Sequence, residues 1–229
     1  MVAVERDARL ASRLRGRFAH ANVTVLEADL LDFPLPKRPY RVVASIPFGI
    51  TTPLLGRLLD SPRSPLQRAV LVVQWGAAKG FSHGRPGDPR ILWWTSRFEL
   101  RIARRLPSGS FTPPPAVDAA VLVVQRRPVA LVPTGDQAPF LRLLENVFQQ
   151  RRPSFAGEAL APIFSKRQLR RLLRELDIDP HEPIGVLRIE QWAAINAAMV
   201  TLVDPARWPR RKPRRLKALP PPTRGGRGR

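Results

Sequence analysis

Cysteine is absent from the 229 residues, which excludes disulfides, thiol catalysis and Cys-ligated zinc. Histidine occurs only at His20, His83 and His181, too widely spaced to form a metal box, so no metal is expected. No apolar run approaches a membrane span, and the N-terminal MVAVERDARL carries charges where a signal peptide needs an apolar core. The sequence reads as a soluble, cytoplasmic, monomeric protein. Acidic side chains are scarce: 18 Asp+Glu face 39 Lys+Arg, for a formal net charge of +21. A field of that sign favours a polyanion and fast, salt-sensitive association. Nucleic acid is the leading candidate, well ahead of an anionic membrane surface. Arg greatly outnumbers Lys, which suits bidentate phosphate contacts; a GC-rich genome would produce the same bias.

Hydrophobic residues make up 44% of the chain, enough for a buried core. In the first half, short Val- and Leu-rich runs alternate with helical spacing. Strands are expected at Val2–Val4, at VTVLEAD (Val23–Asp29), at Tyr40–Ala44 and at AVLVVQ (Ala69–Gln74). Helices are expected over Arg6–Phe18, with Leu10, Leu14 and Phe18 on one side, and over Pro53–Leu59, with Thr52 as N-cap and Pro53 in first position. FELRIARRL (Phe98–Leu106) and AAVLVVQRR (Ala119–Arg127), joined by a Pro-rich loop, read as an antiparallel hairpin at one edge. The pattern predicts an α/β fold: a mostly parallel sheet covered on both faces.

After Pro128–Gln137 the pattern turns helical. Amphipathic runs cover Gln137–Gln149 and Ile189–Val203, and Ser165 opens a capping box with Gln168 ahead of LRRLLREL. From Pro205 the chain is basic, rich in Pro and Gly, and free of carboxylate side chains, a composition expected to be disordered until it meets an anion. The expected division is 1–128, an α/β domain; 129–203, a small all-α domain; and 204–229, a basic tail.

Open α/β sheets bind ligands at the C-terminal ends of their strands. Glu5 ends the first strand and Asp29 the second; either could accept hydrogen bonds from a ribose, or Glu5 could serve a helix N-terminus and Asp29 be a solvated loop acid. The third strand runs into Ser45-Ile46-Pro47-Phe48. Several other features have both bland and functional readings. Trp93-Trp94 is a stacking platform or buried core. Arg104, Arg105, Arg126, Arg127, Arg151 and Arg152 are phosphate contacts or a solvated face. GRPGDPR (Gly84–Arg90) lacks the Lys of a phosphate loop and reads as a flexible loop.

Taken in order, an acid after one strand, EADLLDF after the next and SIPF after the third resemble the adenine-N6 methyltransferases of ribosomal RNA. SIPFGITTPLL, VVQWGAA and FTPPPAVDAAVLVVQRR are most similar to the Erm group, which methylates 23S ribosomal RNA and protects ribosomes from macrolides; the KsgA-type small-subunit dimethyltransferases share these blocks. The resemblance spans roughly Val2 to Met199. It implies a Rossmann-like class I methyltransferase sheet and S-adenosyl-L-methionine as cofactor. Glu5 would hold the cofactor's ribose and Asp29 its adenine amino group, with Leu30 packing nearby. Ser45, Ile46, Pro47 and Phe48 would form the catalytic loop, and Phe111 would face Phe48 across the target base.

These residue types suit the chemistry. The adenine amino nitrogen is a poor nucleophile because its lone pair is delocalised into the ring. Acceptors for its two N–H groups, here the Ile46 carbonyl and a polar side chain at position 45, favour a pyramidal nitrogen, with no strong base and no metal. An aromatic face under an unstacked base contributes roughly 1–3 kcal/mol, and the base must leave its stack to react. Two departures from the family's pattern stand out. Ser45 occupies the place of an Asn and reaches less far, which bears on rate and on mono- against dimethylation. The family's initial strand and Gly-rich loop are not in these residues, so the 229-residue chain is expected to bind S-adenosylmethionine weakly or not at all. Three functions remain in view: adenine methylation of 23S RNA with macrolide–lincosamide–streptogramin resistance, 16S dimethylation, or RNA binding without catalysis.

Overall fold

The computed structural model describes residues 1–82, 88–148 and 155–209. Six strands and eight helices are formed among them. Strand β1 (Val2–Glu5) leads through helix α1 (Ala8–Arg17) to β2 (Thr24–Glu27). Strand β3 (Tyr40–Ser45), a 3-10 turn at Phe48–Ile50 and helix α2 (Thr51–Leu59) lead to β4 (Leu66–Gln74). Helices α3 (Trp75–Ser82) and α4 (Pro89–Thr95) then precede the hairpin strands β5 (Phe98–Leu106) and β6 (Ala119–Arg126).

The strands form two separate sheets. β1 pairs in parallel with β2, and a four-stranded sheet runs β3-β4-β6-β5. β3 and β4 are parallel, while β6 lies antiparallel to both β4 and β5. The expected edge hairpin is therefore present, with β6 inserted beside β4 and β5 outermost. The parallel pairs β1-β2 and β3-β4, each joined through a helix, are the connections of a doubly wound α/β fold.

Local chemistry explains the element ends. Asp7 N-caps α1, accepting from the N–H groups of Arg9 and Leu10 at 2.8 and 3.1 Å. The α2 start departs from expectation: Ile50, not Thr52, is the N-cap, and Pro53 sits third. The preceding 3-10 turn causes this, because Thr51 N–H bonds back to Phe48 and carries the helical path two residues earlier. Pro53 is tolerated there because N–H groups of the first turn lack intrahelical partners.

Leu54, Leu55, Leu58 and Leu59 of α2 are buried in one cluster with Leu71 and Val73 of β4 and Leu122 and Val124 of β6. The helical part comprises α5 (Gln137–Phe148), α6 (Ala156–Leu160), α7 (Lys166–Glu175) and α8 (Ile189–Leu202). The Ser165–Gln168 capping box on α7 forms as expected. Phe148 of α5 packs on Trp192 of α8 with ring centroids 5.4 Å apart. The buried residues of sheet and helices join in one cluster.

Candidate active site

β1, β3 and the turn after β2 surround a cleft of about 1350 Å³. Its wall includes Glu5, Asp29, Leu30, Ser45, Ile46 and Pro47, so six of the expected site residues share one cavity. Phe48 and Phe111 are half-buried and lie outside its wall. Phe48 opens the 3-10 turn leading into α2, and Phe111 follows another at Ser108–Ser110. Neither ring makes a ring–ring or cation–ring contact among the described residues.

Glu5 does not cap α1; Asp7 has that role. One oxygen of Glu5, Oε1, accepts the Asp7 N–H at 2.9 Å, which orients the carboxylate and leaves the other oxygen for a ligand. Asp29 Oδ1 accepts the Leu31 N–H at 2.8 Å, and Oδ2 faces Arg6 at 3.4 Å. The Leu31 N–H, with help from Arg6, holds the Asp29 carboxyl below its ordinary range. Asp29 is therefore an anion at neutral pH with one oxygen fixed and the other covered only by an exposed, movable guanidinium.

Ser45 ends β3 and is exposed, with no hydrogen bond at its hydroxyl among those described; Ile46, 6% exposed, donates its N–H to the Val72 carbonyl at 3.5 Å. The Ile46 carbonyl accepts no hydrogen bond from the described backbone. An unpaired acceptor at a strand end beside a cleft is available to a ligand's N–H.

Two supporting residues were not expected. Arg57, the one cation on the apolar helix α2, donates to the carbonyls of Leu30 and Phe33 at 2.6 and 2.8 Å, pinning the turn that carries Asp29. Its sequence signal is a charge inside TTPLLGRLL. The Thr51 hydroxyl is buried without a partner at the start of α2, and nothing in the sequence marks it.

Several candidate RNA contacts have structural duties instead. Trp93 and Trp94 are 3% and 1% exposed, and both indole N–H groups bond to Asp60, at 2.9 and 2.8 Å; they are core, not a stacking platform. Arg126 donates to the carbonyls of Leu66 (2.7 Å) and Ser64, Arg127 to Thr95, and Arg105 pairs with Asp118 at 2.6 Å. At the end of GRPGDPR, Asp88 caps α4 and Arg90 grips Asp60; Gly84–Pro86 and Gly87, like Arg151, Arg152 and His83, lie outside the described residues. Sequence gives no way to tell a guanidinium aimed at a carbonyl from one aimed at phosphate.

The model of the ribosomal RNA adenine dimethylase family matches residues 1–199. The chain belongs to that family. It is 32% identical over 216 residues to an rRNA adenine N-6-methyltransferase of Bacillus licheniformis, covering 94% of this chain and 75% of the relative. It is also 32% identical over 204 residues to a ribosomal RNA small subunit methyltransferase A of Synechococcus sp. (strain JA-3-3Ab), covering 86% and 72%. The mycinamicin-resistance protein MyrB of Micromonospora griseorubida is 32% identical over 201 residues, covering 85% and 61%. The fold matches the 23S rRNA methyltransferase ErmE with a TM-score of 0.77 at 23% identity, over 87% of this chain and 81% of that one. A dimethyladenosine transferase from Plasmodium falciparum matches with a TM-score of 0.64 at 18% identity, over 85% and 79%. In this member of the family the strand-end acids Glu5 and Asp29 and the segment Ser45–Pro47 are gathered at one cleft. Among the described residues no helix is long and apolar enough to cross a membrane, and no group of His, Asp or Glu is placed to hold a metal.

Proposed function

We propose that the protein methylates N6 of an adenine in 23S ribosomal RNA, using S-adenosyl-L-methionine and conferring macrolide–lincosamide–streptogramin resistance. The observation that carries the reading is the single cleft bringing Glu5 and Asp29 to the Ser45–Pro47 loop. The donor set suits an adenosine-bearing cofactor: one free Glu5 oxygen for a ribose hydroxyl, and an ionised Asp29 for an exocyclic amino group. The cofactor would supply an electrophilic methyl group on a cationic sulfonium. The protein's part is positional. The Ile46 carbonyl and the Ser45 hydroxyl accept the two N–H groups of the target adenine and favour a pyramidal nitrogen. Phe48 and Phe111 stack on the extruded base. The helices within 129–203 and the basic tail 204–229 would contact RNA phosphates, and the protein would act as a cytoplasmic monomer.

An rRNA adenine N-6-methyltransferase and a small subunit methyltransferase A are equally identical to this chain, so 16S dimethylation is the second reading; broader coverage by the former and the higher TM-score to ErmE support the first. RNA binding without catalysis is the third. Primer extension on RNA from cells expressing the gene separates them. A stop at one domain V adenine of 23S RNA is expected; stops in 16S RNA alone, or none, overturn it.

A further inference from the structure

A second cavity lies at the other end of β3. It is about 290 Å³ in volume and is built from the segment 35–37 ahead of β3, from Arg57 of α2, and from the loop 61–65 that joins α2 to β4. Tyr40, the first residue of β3, forms part of its wall. Leu35, Pro36 and Tyr40 also line the larger cleft, so the two cavities share a wall. Ser45 ends the same strand, about 16 Å on at roughly 3.3 Å per residue. None of the expected site residues reaches this cavity.

The wall is cationic. Lys37, Arg57 and Arg63 line it and no Asp or Glu does. None of the three has a carboxylate partner among the described residues, whereas Arg90 and Arg105 each hold an aspartate at 2.6 Å. Arg57 is half-buried and directs two nitrogens at the carbonyls of Leu30 and Phe33; a guanidinium has five N–H groups, so donors remain. Lys37 and Arg63 are exposed and can swing onto a ligand. The Tyr40 hydroxyl is buried with no hydrogen-bond partner, and the nearby Ser64 hydroxyl donates instead to the Leu58 carbonyl at 2.6 Å. Buried polar groups are ordinarily paired, so this wall is short of acceptors and of negative charge.

The volume stands at the foot of the roughly 300–1,000 Å³ usual for small-molecule sites, enough for one phosphate with part of its sugar. Three cations offer more donors than the two oxygens of a carboxylate can use, and suit the several oxygens of a phosphate. Leu35, Pro36 and Pro65 add apolar wall of the kind a sugar packs against.

We infer that this pocket is a phosphate-binding exosite, distinct from the Glu5–Asp29–Ser45 cleft, that holds one phosphate group of a nucleotide, carried by an RNA strand or free. Lys37 from one loop and Arg63 from the other close on the phosphate, and Arg57 supplies charge fixed by its main-chain bonds. The inference rests on the charge, volume and unmatched donors of the pocket, and does not depend on the methyl-transfer reading.

Tyr40 is the only tyrosine of the chain, so tyrosine-selective carbon-13 labelling gives NMR ring signals from the pocket wall alone. The full chain is titrated at constant ionic strength with inorganic phosphate and with hexauridylate RNA, and with chloride as the control anion. A saturable shift of the Tyr40 signal is expected. The Lys37→Ala/Arg63→Ala chain, altered at two exposed side chains, should need at least tenfold more ligand for the same shift, with an unchanged circular dichroism spectrum. A shift by RNA at tenfold lower concentration than phosphate identifies a strand as the occupant; a shift by phosphate at equal or lower concentration identifies a free phosphate. Either supports the site. No shift with either ligand, or an equal shift with chloride, overturns the inference. So does a shift that the double variant keeps, since the ligand then sits in the neighbouring cleft.

Discussion

Arg90 holds Asp60 with two nitrogens, Nε to Oδ1 at 3.0 Å and an Nη to Oδ2 at 2.6 Å. Asp60 Oδ1 also accepts the Trp94 indole N–H at 2.8 Å, and the Asp60 carbonyl takes Trp93. One residue just past α2 thus fixes α4 to α2. Asp60→Ala leaves a buried indole donor unmatched, and we expect a loss of about 1–3 kcal/mol. Urea unfolding should show a lower midpoint with an unchanged slope.

Arg97 performs a related task. Its guanidinium reaches the carbonyls of Ser61 (2.7 Å) and Leu59 and lies 4.0 Å from the centre of the Trp93 ring. Burial brings its pKa down to about 10, still far above neutral pH, so it is charged. Arg97→Lys keeps the charge and loses the planar fork. A stability loss of about 1–3 kcal/mol is expected in thermal unfolding, with little change between pH 6 and 8.

Asp118 is held below the ordinary carboxyl value of 3.8, first by the Arg105 side chain and then by the Ser108 N–H. A depressed folded-state value means the folded protein binds fewer protons, so stability from this group is complete above about pH 4 and lost as pH falls through the lower folded value. Carbon-detected NMR titration should place the Asp118 midpoint below 3.8 and move it upward in Arg105→Ala. An unmoved midpoint would remove Arg105 as the cause.

For methyl transfer, Phe48→Ala and Phe111→Ala should each lower kcat/KM for RNA by about 10–100-fold, the kinetic equivalent of roughly 1–3 kcal/mol of stacking. Circular dichroism should be unchanged, since both rings are only half-buried.

Ser45→Asn should raise kcat by about 2–10-fold, the value of one better-placed hydrogen bond of roughly 0.5–1.5 kcal/mol. Nucleoside analysis should also show a larger dimethyl fraction. A lower rate would mean that the short hydroxyl is the fitted group here.

Strand identity was legible in all six segments: Phe98–Leu106, where apolar and charged residues alternate at first, keeps its expected bounds, and the Val- and Leu-rich strands shift by a few residues. Helices α3 and α4 escaped sequence reasoning because WGAAKGFS carries two glycines and PRILWWT has apolar residues on nearly every side, so neither shows amphipathic spacing. The candidate site was legible as chain order, acid, acid, SIPF, because strand ends become neighbours in a sheet. What pins the Asp29 turn was not: Arg57 bonds to main-chain carbonyls, which every residue has.

The charge of the chain also bears on how the protein behaves at concentration. A formal net charge of +21 makes copies of the chain repel one another. Salt shortens the reach of that repulsion from about 10 Å at 0.1 M to about 3 Å at 1 M. Added salt should therefore push this basic protein toward self-association and turbidity while also weakening its hold on RNA, so the conditions that strip nucleic acid during purification are those in which the protein is least soluble.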